Sequence, residues 1–321
     1  MGITRVFPDL SEDLLLNLFH RGAKAQWTSR DLDWSLPSGL SERKRLALAR
    51  LLTPVYFGEQ TAMAGAAGIL PAVMAAGETT AQLYLASFIM DEARHFETLT
   101  RLYRALGFDP LGLREIPELL RYHHRIRQGD RADWVWGILF SDIIAKQFYR
   151  AFGTMQTEPD ALFGGLAGRI LVDESRHLAF AEYYLRRAVA GMEPRRRQAL
   201  VGLADDLYAI LRPMTERVRA DAAAFDVDAS EWLGWVWADV ETFGKRIGLY
   251  GRADDDSSPG GGGAAAAVSG DGSSSTERGG DRSVGGEAVG GEAVGGRDDD
   301  VVARCFGCLL TLFCGPRTVT A

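Results

Sequence analysis

The sequence predicts an all-α protein, organised as a four-helix bundle with additional covering helices. Three observations lead to this prediction. From residue 41 to about residue 251, apolar residues recur at three-to-four spacing, prolines are few, and strand-like alternation is scarce. A hydrophobic content of 46% is sufficient to fill the core of such a bundle.

The first two long helices are predicted over residues 41–77 and 79–107. Pro71 is expected to kink the first helix, because proline lacks the amide N–H that the helical ladder uses. Thr79 or Thr80 is expected to cap the second helix. A glycine near the end of each segment marks where the helix stops.

The remaining helices follow after short breaks. A small helical piece is predicted around residues 115–127, and long helices are predicted over residues 132–154 and 160–191. Two more helices, near residues 194–224 and 229–248, are expected to pack outside the four long ones.

The composition changes sharply after residue 251. Residues 252–300 are rich in Gly, Ala, Ser and Asp, and are predicted to be a disordered linker because they cannot bury a core. Residues 301–321 turn apolar and carry Cys305 and Cys308 as a lone Cys-x-x-Cys pair. This tail has no assigned role, and is either unstructured or a partner-docking peptide or metal clip. Residues 1–251 form the predicted folded domain.

Charge and cysteine usage narrow the function classes. Residues 252–300 hold eleven acidic and four basic residues, which accounts for the net charge of −7 and leaves residues 1–251 nearly neutral. No basic face stands out, so nucleic acid is not an expected partner. All three cysteines lie at or beyond residue 305, which fits a reducing cytoplasm. Neither a signal peptide nor an apolar run of the roughly 18 residues that span a membrane is recognised.

A duplicated motif carries the main functional signal. Asp-Glu-x-Arg-His occurs at residues 91–95 and again at 173–177. In each copy a glutamate and a histidine lie three residues apart, so both reach one ion from the same helix face. One copy could be an exposed polar face, but both copies lie among apolar residues, where an unpaired carboxylate is costly to bury. The predicted metal ligands in the motifs are Glu92, His95, Glu174 and His177.

Bundles that bind two metals take a further carboxylate from each of the other two helices. Glu59 lies 33 residues before Glu92, and Asp142 lies 32 residues before Glu174, so the two halves of the chain mirror each other. Glu92 and Glu174 are predicted to bridge the metals, with Glu59 and Asp142 as terminal ligands. Asp142 is one methylene shorter than glutamate, and a helix-surface or capping role is the alternative for it.

The other charged residues of the motifs are expected to support the ligands. Asp91 and Asp173 are predicted to accept the free imidazole N–H groups of the histidines, which fixes the orientation of a ligating ring. Arg94 and Arg176 are expected to hold those aspartates. Simple surface ion pairs are the alternative for all four residues.

Four carboxylates and two imidazoles form a hard, mostly oxygen donor set that suits iron or manganese better than copper. The expected cofactor is therefore a pair of metal ions, Fe/Fe or Mn/Fe. Reduced pairs of such ions bind dioxygen, and an apolar lining keeps water from the reactive site.

These residues resemble the ribonucleotide reductase small-subunit superfamily of ferritin-like di-metal carboxylate proteins, and most of all its ligand-binding oxidase branch. The resemblance covers roughly residues 15–250. It implies a ferritin-like bundle, an Fe/Fe or Mn/Fe site, and a fatty-acid-like ligand. Beyond the motifs it is carried by Leu18-Phe19, Trp27, Asp31-Leu32-Asp33-Trp34, Phe57-Gly58-Glu59, Leu70-Pro71 and Leu178-Ala179-Phe180.

The chain departs from those relatives at three positions. The reductase subunit has a radical-bearing tyrosine four residues after the first histidine, where this chain has Leu99. The ligand-binding oxidases have an ether-linked tyrosine five residues before the third carboxylate, where this chain has Gly137. Neither a stored radical nor that crosslink is expected. Asp142 stands where the branch has glutamate.

The leading functional hypothesis is an oxygen-activating oxidase or oxygenase acting on an apolar, fatty-acid-like substrate. Its expected partners are dioxygen, an external electron donor and a second copy of the chain in a homodimer. A radical-generating reductase subunit is one alternative, although Leu99 argues against it. A non-enzymatic iron-binding bundle is the other, and a storage role would require a shell of many copies.

Overall fold

The structure is a computed structural model that describes residues 10, 13–36, 38–156 and 160–250. The predictions made for residues 252–300 and 301–321 lie outside the described residues. Within the described ranges the chain is largely helical and contains no β-strand, which confirms the all-α prediction.

Short turns join α2 to α3, α4 to α5 and α6 to α7, whereas residues 107–116 separate α3 from α4. α2, α3, α5 and α6 form the inner bundle: α2 packs on α3 and α5, and α6 packs on α5 and α3. α7 and α9 cover α5, as predicted for the two covering helices, and α4 also packs on α5. α1 lies against α3 and α6. The helices are α1 (Leu14–Lys24), α2 (Glu42–Ala75), α3 (Thr79–Leu106), α4 (Pro117–Ile126), α5 (Arg131–Phe148), α6 (Ala161–Ala190), α7 (Pro194–Arg217), α8 (Arg219–Ala223) and α9 (Ala229–Arg246).

The ends of the long helices follow their capping residues. Ser41 caps α2, since its hydroxyl accepts from the Lys44 amide at 3.3 Å. Gly107 ends α3 in the left-handed conformation, with φ of 77°. The predicted cap of α3 is wrong. Its N-cap is Glu78, without a side-chain hydrogen bond, because Thr80 instead donates to Asp13 at the start of α1, at 3.0 Å.

Three segments differ from the sequence expectation. α1 was not among the predicted helices, although its buried leucines close the outer side of α3 and α6. The α-helix predicted to reach residue 154 ends at Phe148 and continues as a π-helix, Tyr149–Thr154. The single helix predicted over residues 194–224 divides at Val218 into α7 and α8, and Phe225 beyond the break is buried.

The core of the bundle is apolar on both sides of a polar centre. Leu52, Leu85, Leu99 and Ile170 are fully buried between the inner helices. None of the helices in the described ranges has the length and hydropathy of a membrane span. The charged residues that interrupt this core therefore require a separate explanation.

Candidate metal centre

Six charged or ionisable side chains converge in the middle of the bundle. α2 and α5 supply one carboxylate each, while α3 and α6 supply a glutamate and a histidine each. Every one of the six is at most 4% exposed. These residues are Glu59, Glu92, His95, Asp142, Glu174 and His177.

The side chains fall into two groups that share one carboxylate. Glu59, Glu92 and His95 each present a possible ligand atom, and these atoms lie within 4.8 Å of one another. Glu92, Asp142 and His177 form a second group by the same measure. Glu92 belongs to both groups, which is the position that a bridging carboxylate occupies between two ions.

Glu174 also spans the two groups. Its Oε1 lies 3.9 Å from His95 Nδ1, and its Oε2 lies 3.5 Å from His177 Nδ1. His95 Nδ1 is 3.4 Å from Glu59 Oε2, and His177 Nδ1 is 3.2 Å from Glu92 Oε1. Both imidazoles therefore turn Nδ1 toward the central glutamates and Nε2 away from them.

The outward nitrogens meet aspartates from the opposite motif. His95 Nε2 lies 3.0 Å from Asp173 Oδ2, and His177 Nε2 lies 3.5 Å from Asp91 Oδ2. Each aspartate thus contacts the histidine of the other motif and not the histidine of its own. A carboxylate in this place orients a ligating imidazole and raises its basicity.

The two arginines join the two aspartates. Arg94 Nη2 donates to Asp91 at 2.6 Å and to Asp173 at 2.8 Å. Arg176 Nη2 donates to Asp91 at 3.0 Å and to Asp173 at 2.5 Å. All four side chains are buried, so they are not surface ion pairs. Burial raises the pKa of Asp91, but its contact with His177 and the charge of Arg94 outweigh this effect and lower the pKa to about 2.

Burial disfavours the ionised form of the inner carboxylates. Desolvation raises the pKa of Glu92 well above its ordinary value, and repulsion from Glu59 adds to the shift. The pKa of Asp142 is raised in the same way, with repulsion from Glu174. Asp142 Oδ2 and Glu174 Oε2 are buried, and neither has a hydrogen-bond partner among the residues that the structure describes, although His177 Nδ1 lies 3.5 Å from Glu174 Oε2. Buried acceptors without partners are unusual, and cations between the carboxylates would satisfy them.

The imidazoles respond to the same excess of negative charge. Burial lowers the pKa of His95, but neighbouring carboxylates, chiefly Glu59, raise it to about 9. Burial likewise lowers the pKa of His177, and its carboxylate contacts, chiefly Asp91, raise it to about 10. Protons on the imidazoles would therefore offset part of the carboxylate charge. Two divalent cations would take their place and match the four carboxylates in charge, so the residues fit a pair of ions.

Sequence reasoning assigned no role to three residues near this centre. Trp27 Nε1 donates to Asp173 Oδ2 at 2.8 Å, and Arg94 donates to Gln26 at 2.6 Å. Tyr149 is fully buried and its hydroxyl donates to Glu59 Oε1 at 3.2 Å. Tyr149 follows Asp142 by two helical turns, and that spacing was the signal that could have identified it.

No protein-family model matches this sequence. Solved structures do match its fold. One structure is an R2-like ligand-binding oxidase with an aerobically reconstituted metal cofactor after photoconversion, with a TM-score of 0.64 and 18% identity over 74% of this chain and 94% of that one. Another is an R2-like ligand-binding oxidase with an aerobically reconstituted Mn/Fe cofactor, with a TM-score of 0.63 and 17% identity over 74% and 94%.

This chain has the R2-like oxidase fold. The match spans nearly the whole length of those oxidases, so the shared fold includes the bundle and its covering helices. The likeness agrees with the predicted ferritin-like architecture. The second of those oxidases holds a Mn/Fe cofactor, and this chain has Glu, His and Asp groups that could bind two metal ions.

Two positions within the R2-like oxidase fold carry particular residues here. Leu99 is fully buried one turn beyond His95 and offers no hydroxyl to the centre. Gly137 faces α4 so closely that an added Cβ would lie 2.8 Å from the side chain of Ile126. Ile126 therefore fills the space that a side chain at position 137 would need.

A mostly apolar cavity of about 60 Å³ borders the carboxylates. It lies between α2, α4, α5 and α7, and its wall includes Glu59, Glu92, Asp142 and Glu174. A second apolar cavity of about 50 Å³ adjoins it. The walls common to both cavities are Pro54, Val55, Ile144 and Met214.

Proposed function

We propose that this chain is an oxygen-activating di-metal oxidoreductase, Fe/Fe or Mn/Fe, that acts as an oxidase or oxygenase on an apolar substrate. The observation that carries the proposal is the pair of three-ligand groups that share Glu92 beside an apolar cavity. A structural ion pair would not require six buried ionisable groups next to a space for a ligand.

The proposed ligands divide between the two positions. Glu59 and His95 would be the terminal ligands of one ion, with Asp142 and His177 as those of the other. Glu92 and Glu174 would bridge the two. Two redox-active ions bound there would supply electrons for the reduction of dioxygen.

The remaining residues would position the ligands and exclude water. Asp173 and Asp91 would hold the imidazoles through their Nε2 atoms, and Trp27 would hold Asp173. Tyr149 would fix the orientation of the Glu59 carboxylate. Outer hydrogen bonds of this kind keep ligands in a productive geometry and tune their basicity.

The two cavities support an apolar substrate. Aliphatic and aromatic residues form most of their walls, and the second cavity is lined almost entirely by such residues. Met214 lies in the wall between them, and its unbranched side chain can adopt several rotamers to connect the two spaces. We also propose a homodimer and an external electron donor for this reaction, and sedimentation of the purified protein tests the dimer against a multi-copy storage shell.

The decisive experiment is anaerobic loading with Fe(II), or with Mn(II) and Fe(II), followed by exposure to air. We expect two metal ions per chain by elemental analysis and rapid oxygen consumption. Glu92→Gln should lose at least one ion and the oxygen reaction. Glu97→Gln, on the same helix but exposed, is the matched control and should retain both. If the wild-type protein binds two ions but does not consume oxygen, the proposed enzymatic activity is excluded and the chain is only a metal-binding bundle.

A further inference from the structure

Three spaces in the protein share walls in a series that leads from the surface to the carboxylates. They are a surface groove, the second apolar cavity, and the first cavity, which borders the carboxylates. We propose that dioxygen enters along this series and that the second cavity binds it on the way to the centre. The inference rests on the proposed function, because it assigns the route of the oxidant to the same site.

The surface groove is formed by α7, α8 and α9. Most of its lining residues are exposed, among them Arg212, Glu216 and Arg219. Its buried lining residues are Thr215 and Ala229, and both of them also line the second cavity. The base of the groove is therefore part of the wall of the second cavity.

The second cavity shares a further part of its wall with the first cavity. Met214 is one of the residues common to both, and it is buried. The unbranched side chain of methionine has three rotatable bonds, so it yields more readily than the branched Val55 and Ile144 beside it. Met214 is accordingly the residue past which dioxygen moves to reach the first cavity.

The volume of the second cavity fits a diatomic molecule. The cavity measures about 50 Å³. A cavity that binds benzene measures about 150 Å³, so a ring or a longer chain does not fit within these walls. A larger substrate needs the two cavities joined by a movement of Met214, whereas dioxygen fits the second cavity as it stands.

The wall of the second cavity favours an apolar molecule over water. Its polar side chains, within the described part of the chain, are Thr215 and Trp232. Thr215 already donates its hydrogen to the Leu211 carbonyl at 3.0 Å, and Trp232 Nε1 is buried beneath the cavity surface. An ordered water needs two to four polar partners, and small apolar cavities without them stay dry. Dioxygen is apolar and therefore partitions from water into such a space.

The segment between the groove and the second cavity is the last turn of α7. Pro213 lies inside the helix and has no N–H to donate to the carbonyl of Ala209, one turn earlier. The helix then ends at Arg217, just before the break at Val218. A turn that lacks one hydrogen bond and ends at a break is displaced more easily than a continuous helix. Passage from the groove past Thr215 is therefore most readily opened at this turn.

Xenon occupancy tests the second cavity without any metal, because xenon is an apolar atom that binds in dry cavities. In crystals of the metal-free protein under xenon pressure, we expect an atom in the second cavity. Ala222→Leu enlarges a side chain of its wall and should exclude xenon. Ala223→Leu, at an exposed position of the same helix, is the matched control and should retain it. A wild-type protein without xenon in the second cavity overturns the inference.

The rate of the oxygen reaction of metal-loaded protein tests the route. Ala222→Leu should lower the second-order rate constant for dioxygen by about tenfold, because packed side chains must then move to open the passage. Ala229→Leu, at the base of the groove, should act in the same way, and either variant suffices if the other does not fold. Both should bind two metal ions, because neither position lines the first cavity. Ala223→Leu should react as the wild type does.

The inference and the proposed function fail by different observations. Wild-type rate constants in the folded, metal-loaded variants Ala222→Leu and Ala229→Leu overturn the inference while oxygen uptake itself persists. Absence of oxygen uptake by the metal-loaded wild type removes the proposed function, and xenon occupancy does not depend on that result.

Discussion

Tyr149 reaches across the bundle from the end of α5 to Glu59 on α2, and its hydroxyl donates to Glu59 Oε1 at 3.2 Å. Tyr149 begins the π-helix that follows α5, a local irregularity that often marks functional sites in helical proteins. The hydrogen bond leaves Glu59 Oε2 directed toward His95, at 3.4 Å. The position of one candidate ligand therefore depends on a residue that is not itself a ligand.

Tyr149→Phe should weaken metal binding by about tenfold, because outer-layer hydrogen bonds orient ligands, while leaving the number of sites unchanged. A titration with Fe(II) under nitrogen measures this. Tyr208→Phe, whose ring packs against Trp237 among the covering helices, should bind metal as the wild type does. Equal affinity in Tyr149→Phe and Tyr208→Phe would show that the hydrogen bond has no part in the site.

Asp173→Asn should reduce metal affinity by about 10-fold to 100-fold, since it removes the negative charge that faces His95 Nε2. Asn retains an oxygen of similar shape, so the fold should survive, as circular dichroism can check. Asp91→Asn should have a comparable effect through His177. A large loss in one variant and none in the other would contradict the equivalence of the two motifs.

His123 should make the protein less stable as the pH falls. Burial lowers the pKa of His123 in the folded state to about 4 from the ordinary 6.5. Between pH 6.5 and 4 the imidazole is therefore protonated in the unfolded chain but neutral in the folded chain. The free energy of unfolding should therefore drop by about 2 kcal/mol from this group between pH 7.5 and 5.

Urea unfolding at the two pH values measures the effect of His123. In His123→Phe the pH-dependent loss should be smaller by that amount, whereas His124→Phe should follow the wild type. An identical pH dependence in all three proteins would mean that His123 is hydrated and protonated in the folded state.

Gly137→Ala should destabilise the protein by about 1–3 kcal/mol, because the new methyl group would lie 2.8 Å from branched carbons of Ile126 that cannot rotate away. In a protein that already carries Ile126→Ala, adding Gly137→Ala should cost less stability than Gly137→Ala costs in the wild type, because the clash is gone. Gly168→Ala in α6 is the control, since nothing lies within 4 Å of its added Cβ. There we expect a gain of up to about 1 kcal/mol from helix propensity. Thermal unfolding distinguishes these outcomes.

Local patterns were sufficient for much of the architecture. Three-to-four periodicity and glycine stops predicted the inner helices, since both depend on near neighbours in the chain. The duplicated motif likewise predicted four of the six side chains that meet, because its spacing puts a glutamate and a histidine on one face. The matching separations of 33 and 32 residues from the motif glutamates predicted the other two, Glu59 and Asp142. α1 was missed because its short apolar stretch is separated from the other helices and gains its stability from packing on α3 and α6.

Contacts between distant segments could not be predicted from such local patterns. The sequence could not show that His95 pairs with Asp173 instead of Asp91, since that choice depends on how α3 and α6 face each other. The contact of His123 Nε2 with Thr61 Oγ1, at 3.2 Å, likewise joins residues 62 positions apart in the chain. Capping of α3 was mispredicted for the same reason, because Thr80 bonds to Asp13 from another helix.

Arg94 and Arg176 each touch both aspartates, and each aspartate contacts the histidine of the opposite motif. The two proposed metal positions would thus share a single support, and a substitution in either repeat is expected to alter both of them. Separate adjustment of one position would have to come from Glu59 and Asp142, the proposed terminal ligands, which lie outside this support. We infer that the difference between Glu59 and Asp142 is where the symmetry of the duplicated halves would be broken to favour two unlike ions.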